Sequence, residues 1–597
     1  LRTNQRQHCA GHSLDTQKDL AIMIMTTSID TVTDTLTNDS PASTGTRRTI
    51  NNAPYDHAPQ LLEGCDTLTK LWRQMCLDRG DKIAHREKAF GIWQSYSWTD
   101  YYQRSCDIGM ALAELGLNKG DTVSILSEDN KEWLYCDLGV CAVGGIPNGV
   151  YTTDSPEQLA YILSDSRSKF LIVENDEQLH KFLQIREQVP NVKKVIVFDD
   201  KGLRSLKDEQ VMFLDELYLL GQSVEYALER FSDYIDQSTP NDVRTLIYTS
   251  GTTGDPKGAI LTHANVLFGL RNSIEVLTIL PSDEQLCFLP LCHVLERLTS
   301  VDLPIHRGCI VNFAESTETV FENMKEVSPN TFTAVPRLWE KMYAVIANMR
   351  SDASAFNGWA FDKAIKAGYD YADVIMAGNT PTTAQKLRYE FWDKLVLRKL
   401  RDLIGMTNIR RAATGAAPIS LDIIRWFHAI GVPIYEGYGM TESSGVISIN
   451  TPDANRAGSV GKILPNSEVR IADNGEILVK GGNVFAGYWN KPEKTAEDLR
   501  DGWLHTGDVG ELKDGYLFIT GRIKDIIITA GGKNVTPAAI ESKLKFSSYI
   551  SDAIIIGDRR KYLSCLIMID QENVEKFAQD NHCLLYTSDA ADDLLCV

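Results

Sequence analysis

The chain of 597 residues has no Cys-x-x-Cys pair and no histidine cluster at metal spacing, which excludes the common zinc modules and dithiol redox motifs. Its twelve cysteines are scattered. Cys136, Cys141, Cys287 and Cys292 lie in apolar contexts and are expected to be buried free thiols, so a reducing, cytoplasmic compartment follows. No apolar run approaches the ~18 residues of a membrane span. Residues 20–25 are too short for a signal-peptide core and lack a small-residue cleavage site after them. Membrane association would therefore be peripheral, on the inner membrane face. Positive charge is scarce: 61 Lys and Arg stand against 80 Asp and Glu, a net charge of −19. That argues against nucleic acid as a partner, because such binding draws on clustered Lys and Arg. A local basic site for a phosphorylated small molecule is still compatible with an acidic surface. No sequence feature specifies an oligomeric state.

A Walker A loop is missing as well, although a phosphate cradle is present. Residues 246–261 read LIYTSGTTGDPKGAIL. An apolar run (Leu246, Ile247, Tyr248) opens into Thr249, Ser250, Gly251, Thr252, Thr253, Gly254 and then Lys257. Hydroxyls, bare backbone N–H groups and one lysine after a buried strand suit phosphate. Counted from Gly251, the second glycine of a Walker A loop falls on Pro256, and Lys257 is followed by Gly258 rather than Ser or Thr. The spacing excludes a P-loop NTPase.

The length implies two or more domains, and 43% hydrophobic with 24% charged residues is ordinary for globular protein. Residues 97–117 have a helical pattern, with Ile108, Ala111, Leu112 and Leu115 on one face and Ser97 with Asp100 as a capping pair. Apolar runs at 122–126, 170–173, 195–198 and 246–248 read as buried strands with helices between most of them, a pattern of parallel α/β sheets. Residues 339–404 read as mostly helical, with a break at 378–382. After residue 464, strands shorten and glycine turns multiply (Asn474-Gly475, Asp501-Gly502, Asp514-Gly515), which indicates antiparallel structure. From Arg522 the spacing predicts strands at 525–529, 553–556 and 565–569 around a helix at 537–544.

Five further segments carry chemistry-bearing residues: LPLCHVLER at 289–297, TGAAPIS at 414–420, YEGYGMTES at 435–443, DGWLHTGD at 501–508 and GRIKDIIITAGGKNVTPAAIE at 521–541. With the phosphate loop, and in this order, they resemble the AMP-forming acyl-CoA synthetases, the adenylate-forming enzyme superfamily. The resemblance covers residues 50–582. It implies an α/β fold: a large N-terminal domain of two parallel α/β subdomains plus a small distorted β-barrel, followed by a small mobile α/β C-terminal domain. The corresponding domains are a disordered leader at 1–48, a large AMP-binding domain at 49–521 and a partial C-terminal domain at 522–582. Residues 583–597 (CLLYTSDAADDLLCV) resemble the conceptual translation of a sequencing adaptor. The family's C-terminal catalytic lysine has no counterpart before them. The chain as written is therefore expected to be strongly impaired in ATP-dependent adenylation.

The resemblance also assigns roles. In this reading a carboxylate attacks the α-phosphate of ATP, pyrophosphate leaves, and the thiol of coenzyme A then displaces AMP from the acyl-adenylate. Thr249 to Gly254 and Lys257 would hold the β- and γ-phosphates. Gly415, Ala416 and Ala417 would line the adenine, with Glu436, Gly437, Tyr438 and Gly439 completing the nucleotide pocket and Tyr438 stacking on the base. Thr441 would donate to the α-phosphate and Glu442 would ligate Mg²⁺. Asp508, assisted by Arg522, would accept from the ribose hydroxyls. His293 would stand between acyl pocket and nucleotide. Lys524 would be the hinge, and Gly531, Gly532 and Lys533 would swing in for the coenzyme A step. The long-chain form of LPLCHVLER, the segment VPRLWEKM at 335–342 and the helical stretch after it point to a fatty acid with a long chain. Competing readings are a medium-chain or aromatic-acid CoA ligase, an acyl-carrier-protein ligase, and a non-catalytic nucleotide- or acyl-binding protein.

Overall fold

The computed structural model describes residues 49–51, 61–249, 254–530, 533–547 and 549–580. The expected leader and the 583–597 segment lie outside these residues, as do Ser250, Gly251, Thr252, Thr253, Gly531 and Gly532.

Two large sheets organise the chain. The first has eight strands in the order Gly487–Tyr488, Lys257–Thr262, Val243–Thr249, Ile146–Val150, Thr122–Leu126, Phe170–Val173, Lys194–Val197 and Val211–Phe213. The last six are parallel, and Lys257–Thr262 and Gly487–Tyr488 add antiparallel edges. The central strands Thr122–Leu126, Ile146–Val150 and Phe170–Val173 are buried along their whole length, as expected for strands covered on both faces. Helix Trp98–Glu114 packs on helices Lys131–Ala142 and Leu214–Gln222 beside this sheet. Ser97 caps it reciprocally: its Oγ accepts from the Asp100 N–H at 3.0 Å, and the Asp100 carboxylate accepts from the Ser97 N–H at 2.8 Å. Ile108, Ala111 and Leu112 are buried, and Leu115 packs half-buried on the same core.

The second sheet begins with parallel strands Thr331–Ala334, Arg411–Thr414 and Ile434–Met440. It continues without interruption into an antiparallel region through Gly445–Ile449, Lys462–Ile463, Tyr516–Arg522, Trp503–Lys513, Glu476–Lys480 and Glu468–Ile471. This antiparallel region is where glycine turns were read. Asp501-Gly502 and Asp514-Gly515 each place two residues at positive φ, the tight hairpin geometry that Asp-Gly favours. A smaller sheet joins Glu284–Cys287, Ile310–Phe313, Ile83–Ala89 and Ile92–Ser97.

Helices Pro336–Ser351, Ala355–Met376 and Thr383–Trp392, continued by Asp393–Leu397 and Arg398–Leu403, pack on the second sheet. The break falls at Ala377–Thr382, as the sequence implies. In the C-terminal unit, helix Pro537–Leu544 forms as expected, and strands Ile550–Ile556 and Ser564–Ile569 pair as a hairpin. The strand expected at 525–529 shrinks to Ile527–Ile528, because Ile523–Asp525 forms a 3₁₀ turn before it. Tyr343 stacks on Phe546 at 5.2 Å, and Ser542 Oγ donates to Pro418 O at 3.3 Å, which seats this unit on the second sheet's helices. No helix among the described residues is long and apolar enough to cross a membrane.

Candidate active site

Ligands of open α/β sheets bind at the carboxyl ends of the strands. A cavity of about 610 Å³ lies there, between the two large sheets. Thr249 ends one strand of the first sheet and Lys257 opens the next. From the second sheet come Thr414 at the end of its strand, Gly415 and Ala416 just beyond, and Gly437, Tyr438 and Gly439. His293, Thr441, Glu442, Asp508, Arg522 and Lys524 complete the set of expected residues on the wall. Gly254, Ala417, Glu436 and Lys533 are not among the lining residues. Glu436 is desolvated, which pushes its carboxyl up to about 8, so at neutral pH it carries no full charge.

Close backbone approach shapes the wall. A Cβ at Gly439 would sit 1.9 Å from the Gly445 carbonyl oxygen, so only glycine fits this crossing of two antiparallel strands. Ala416 holds φ at 66°, a left-handed conformation uncommon for a residue other than glycine.

Three polar groups give the cavity its character. On one side Tyr438 Oη donates to Asp508 Oδ2 at 2.7 Å, and Arg522 Nε donates to Asp508 Oδ1 at 2.9 Å. Each Asp508 oxygen retains accepting capacity after these bonds. Burial first, and then the Asp508 charge, push the Tyr438 phenol well above its ordinary range, so it remains a donor. Glu476 braces the loop that presents Asp508. It accepts from the Gly507 N–H at 3.0 Å and pairs with His505 Nδ1 at 3.0 Å.

On the opposite side Tyr488 Oη donates to Glu442 Oε1 at 2.7 Å and lies 3.1 Å from Asp498 Oδ2. Lys257 Nζ sits 4.8 Å from the centre of the Tyr488 ring. One aromatic side chain thus touches both the loop lysine and the buried carboxylate. Its position follows from the edge pairing of Gly487–Tyr488 with Lys257–Thr262, in which Ala259 faces Tyr488 and the Trp489 N–H donates to Gly258 O at 2.7 Å. Beside it Lys494 bridges Glu497 and Asp498, each at 2.8 Å. Lys494 holds the Glu497 carboxyl below its usual range, and Lys524 and Lys257 add to the effect.

The third group is His293. Its Nδ1 accepts from the Leu295 N–H at 3.2 Å and caps the short helix Val294–Glu296. Burial lowers its pKa. The neutral ring then carries its proton on Nε2, as the capping bond dictates. Thr414 Oγ1 is buried and has no partner among the described residues, an orphaned hydroxyl on the cavity wall.

Tyr488, Glu476, Asp498, Lys494 and Thr414 were not singled out by sequence reasoning. Glu442 and Tyr488 are 46 residues apart, and long-range contacts bring them together: the edge pairing that places Tyr488 and the bond from the Phe485 N–H to Glu442 O. Thr414 lay inside a recognised motif, but its missing partner is visible only in three dimensions.

A cavity of this kind, at strand ends and lined by a lysine and a braced carboxylate, defines a nucleotide-binding α/β enzyme of two domains. The chain belongs to the AMP-binding enzyme family, within the adenylate-forming acyl-CoA ligase superfamily: the family model matches residues 72–489, and the model of its C-terminal domain matches residues 524–586. A long-chain-fatty-acid–CoA ligase of Xenopus laevis, ACSBG2, is 34% identical over 525 residues, covering 84% of this chain and 69% of that protein. The long-chain-fatty-acid–CoA ligase FadD15 of Mycobacterium bovis is 35% identical over 507 residues, covering 84% and 82%. Among solved structures, the adenylation domain of a carboxylate reductase from Mycobacterium chelonae superimposes with a TM-score of 0.69 at 20% identity, covering 96% of this chain and 88% of that one. The anthranilate CoA ligase AuaEII superimposes with a TM-score of 0.66 at 21% identity, covering 87% and 90%. These two likenesses establish the two-domain α/β architecture.

Proposed function

We propose that the protein activates a long-chain fatty acid with ATP and transfers the acyl group to coenzyme A, releasing pyrophosphate and AMP. The observation that carries this reading is the single cavity into which four of the six motifs deliver Lys257, His293, Tyr438, Thr441, Glu442 and Asp508, joined there by Gly415 and Ala416 of the fifth and by Arg522 and Lys524 of the sixth. ATP-dependent formation of an acyl-adenylate is the mechanism of the superfamily. The long-chain substrate rests on relatives at 34–35% identity that carry that name, and on the apolar side chains of Val294, Leu295, Val446 and Ile449 beside His293 in the wall.

In this reading Lys257 neutralises the β- and γ-phosphates, and the ring of Tyr488 fixes the ammonium group. Tyr438 lies along the base. Asp508 offers its free lone pairs to the ribose hydroxyls, while Arg522 holds the carboxylate in place. His293 Nε2–H donates to the carboxylate of the fatty acid, and the Thr441 hydroxyl donates to the α-phosphate. Glu442 would hold Mg²⁺. One braced carboxylate facing a phosphate site is the donor set that Mg²⁺ uses with nucleotides, the rest coming from phosphate oxygens and water. When bound, the ion screens phosphate charge. Lys524 marks where the C-terminal domain begins to move, with Gly531, Gly532 and Lys533 in the loop that serves the coenzyme A step. All nine cysteines in the described residues are free thiols, which supports a reducing, cytoplasmic setting.

The direct test supplies preformed acyl-adenylates and coenzyme A and measures thioester formation, so that acyl recognition is read apart from adenylation. Hexadecanoyl-adenylate is expected to react with at least ~10-fold higher kcat/KM than octanoyl- or benzoyl-adenylate, since each added pair of buried methylenes contributes about 1.6 kcal/mol at most. Preference for the octanoyl or benzoyl compound would replace the long-chain assignment. Transfer only to a carrier-protein thiol would replace coenzyme A. No transfer and no nucleotide binding would leave a non-catalytic protein.

Tyr488→Phe separates the roles of ring and hydroxyl. It keeps the surface under Lys257 and removes the bond to Glu442. The Mg²⁺ concentration needed for half-maximal enhancement of ATP binding is expected to rise ~10-fold or more, as for other partners of metal-binding carboxylates. ATP affinity without Mg²⁺ should stay unchanged. Titration calorimetry gives both numbers, and equal Mg²⁺ dependence in variant and parent would dismiss the bracing role.

A further inference from the structure

Five large apolar side chains stand exposed on the helices that pack on the second sheet, and none of them lines the cavity. Phe356, Trp359, Leu387, Phe391 and Leu395 expose between 48% and 73% of their surface. Leu387, Phe391 and Leu395 follow i, i+4, i+8 spacing along Thr383–Trp392 and its continuation, so they form one stripe. Phe356 and Trp359 stand on the neighbouring helix Ala355–Met376, stacked at 6.0 Å. Trp392 joins the two rows, with its ring 6.1 Å from Trp359 and 5.3 Å from Phe391. The apolar face is therefore continuous across two helices, and exposed aromatic continuity of this kind marks an interaction site.

The charges around it are one-sided. Lys363, Lys366, Lys386, Lys394, Arg398 and Lys399 are all exposed. None of them has a carboxylate at ion-pair distance among the described residues. The acids of the same helices are engaged: Asp362 pairs with Arg350, Asp370 with Arg388, Asp373 with Arg425, Asp393 with Arg401, and Asp402 accepts from Thr407. Glu390 alone remains unpaired among them. Six free cations thus surround the apolar face of a protein whose net charge is −19.

We propose that this two-helix face docks on a bilayer surface rich in anionic phospholipid. Trp, Phe and Leu on one face with Lys and Arg beside them is the pattern of a helix lying in the membrane interface, its apolar side chains entering the acyl boundary and its cations meeting lipid phosphates. Long Lys and Arg stems reach headgroups while the rings are buried. A two-fold dimer through the same face would set the six cations against their own copies, which like-charge repulsion opposes. The proposal is independent of the acyl specificity suggested above, since nothing in it uses the cavity.

Flotation of the full chain with vesicles tests it, using phosphatidylcholine alone and phosphatidylcholine with phosphatidylglycerol in equal parts. Binding is expected to the mixed vesicles, much weaker to phosphatidylcholine, and reduced by salt. The combined variant Lys363→Ala, Lys394→Ala, Arg398→Ala should bind the mixed vesicles on the order of a hundredfold more weakly. Trp359→Ser with Phe391→Ser and Leu395→Ser should also lose binding, although every cation remains. Both combined variants should keep the parent's urea-unfolding midpoint to within a few tenths of a molar, which shows that they fold. Trp359→Phe, the mildest change, should keep binding and remove part of the quenching of tryptophan emission by brominated lipid. The proposal is overturned if the parent chain does not float, if both combined variants float like the parent, or if brominated lipid quenches Trp359→Phe as fully. It is also overturned if light scattering shows a dimer that the serine variant dissociates while vesicle binding persists, because the face then belongs to a second copy.

Discussion

Glu442→Gln is expected to abolish the gain in ATP affinity that Mg²⁺ confers and to slow the residual ATP–pyrophosphate exchange that the parent chain supports by ~10²–10³-fold, the usual cost of losing one preorganised electrostatic group. The substitution is nearly isosteric. The glutamine amide oxygen still accepts from Tyr488 Oη, which now donates to Glu442 Oε1 at 2.7 Å. The backbone of the turn is held elsewhere: the Phe485 N–H donates to Glu442 O at 2.9 Å, and Ser443 Oγ donates to Met440 O at 2.9 Å. Only the charge disappears. Because the second half-reaction starts from a nucleotide that has already lost pyrophosphate, thioester formation from preformed hexadecanoyl-adenylate should change by no more than a few-fold. Glu442→Asp keeps the charge but draws it back by one methylene, away from Tyr488, and should fall between the parent and Gln in exchange rate. The split between the half-reactions is the informative readout. Exchange that stays near the parent rate in Glu442→Gln would remove Glu442 from the metal site, and an equal loss in both half-reactions would indicate general damage to the cavity.

The two sides of the cavity were unequally legible in the sequence. Lys257, Tyr438, Glu442 and Asp508 sit in local motifs, because backbone geometry over a few residues has to be right for each. The strand before the loop was readable for the same reason: Leu246, Ile247 and Tyr248 form an uninterrupted apolar run, and all three are buried. Tyr488 was not readable. It belongs to a two-residue edge strand, and what it touches depends on pairing with a segment more than two hundred residues away. Sheet order is illegible on the same grounds. The alternation of strands and helices indicated parallel sheets, but strand partners are chosen by long-range packing. That the antiparallel region would extend the second parallel sheet was beyond local reasoning. Apolar residues on the outside were equally hidden: Leu387 and Phe391 fit a helical period as well as any core residue, and only the packed helices show that both stay exposed among the described residues.

Arg297, the last residue of LPLCHVLER, shows a motif serving the fold, and it supports the second large effect. Asp137, on helix Lys131–Ala142, is fully buried. Arg244 Nη1 donates to its Oδ1 at 3.2 Å, Arg297 Nη2 donates to the same oxygen at 2.9 Å, and Arg244 also bonds Oδ2. Arg297 further lies 4.8 Å from the centre of the Trp133 ring. Burial by itself would raise the Asp137 carboxyl, but the two guanidinium groups outweigh it and hold it below the usual carboxylate range. A depressed carboxylate contributes stability that is present above its unfolded pKa and lost as pH falls through its folded one, so this cluster is fully effective at neutral pH. Asp302 is no substitute counter-charge there, because burial pushes its carboxyl up to about 7. Asp137→Asn should therefore leave two buried guanidinium groups without a full compensating charge and destabilise the large domain by ~3–5 kcal/mol. The midpoint of urea unfolding should fall accordingly. The cluster ties the strand Val243–Thr249, which ends at the phosphate loop, to the segment that follows His293. ATP affinity should hence drop in Asp137→Asn even at urea concentrations where the domain is still folded. Replacing the cluster as a whole, with Asp137→Leu, Arg244→Met and Arg297→Met together, should recover much of the lost stability, since well-packed apolar groups often match a buried ion pair. An unchanged urea midpoint in Asp137→Asn would show that the guanidinium groups find other partners and that the carboxylate is dispensable for holding the loop.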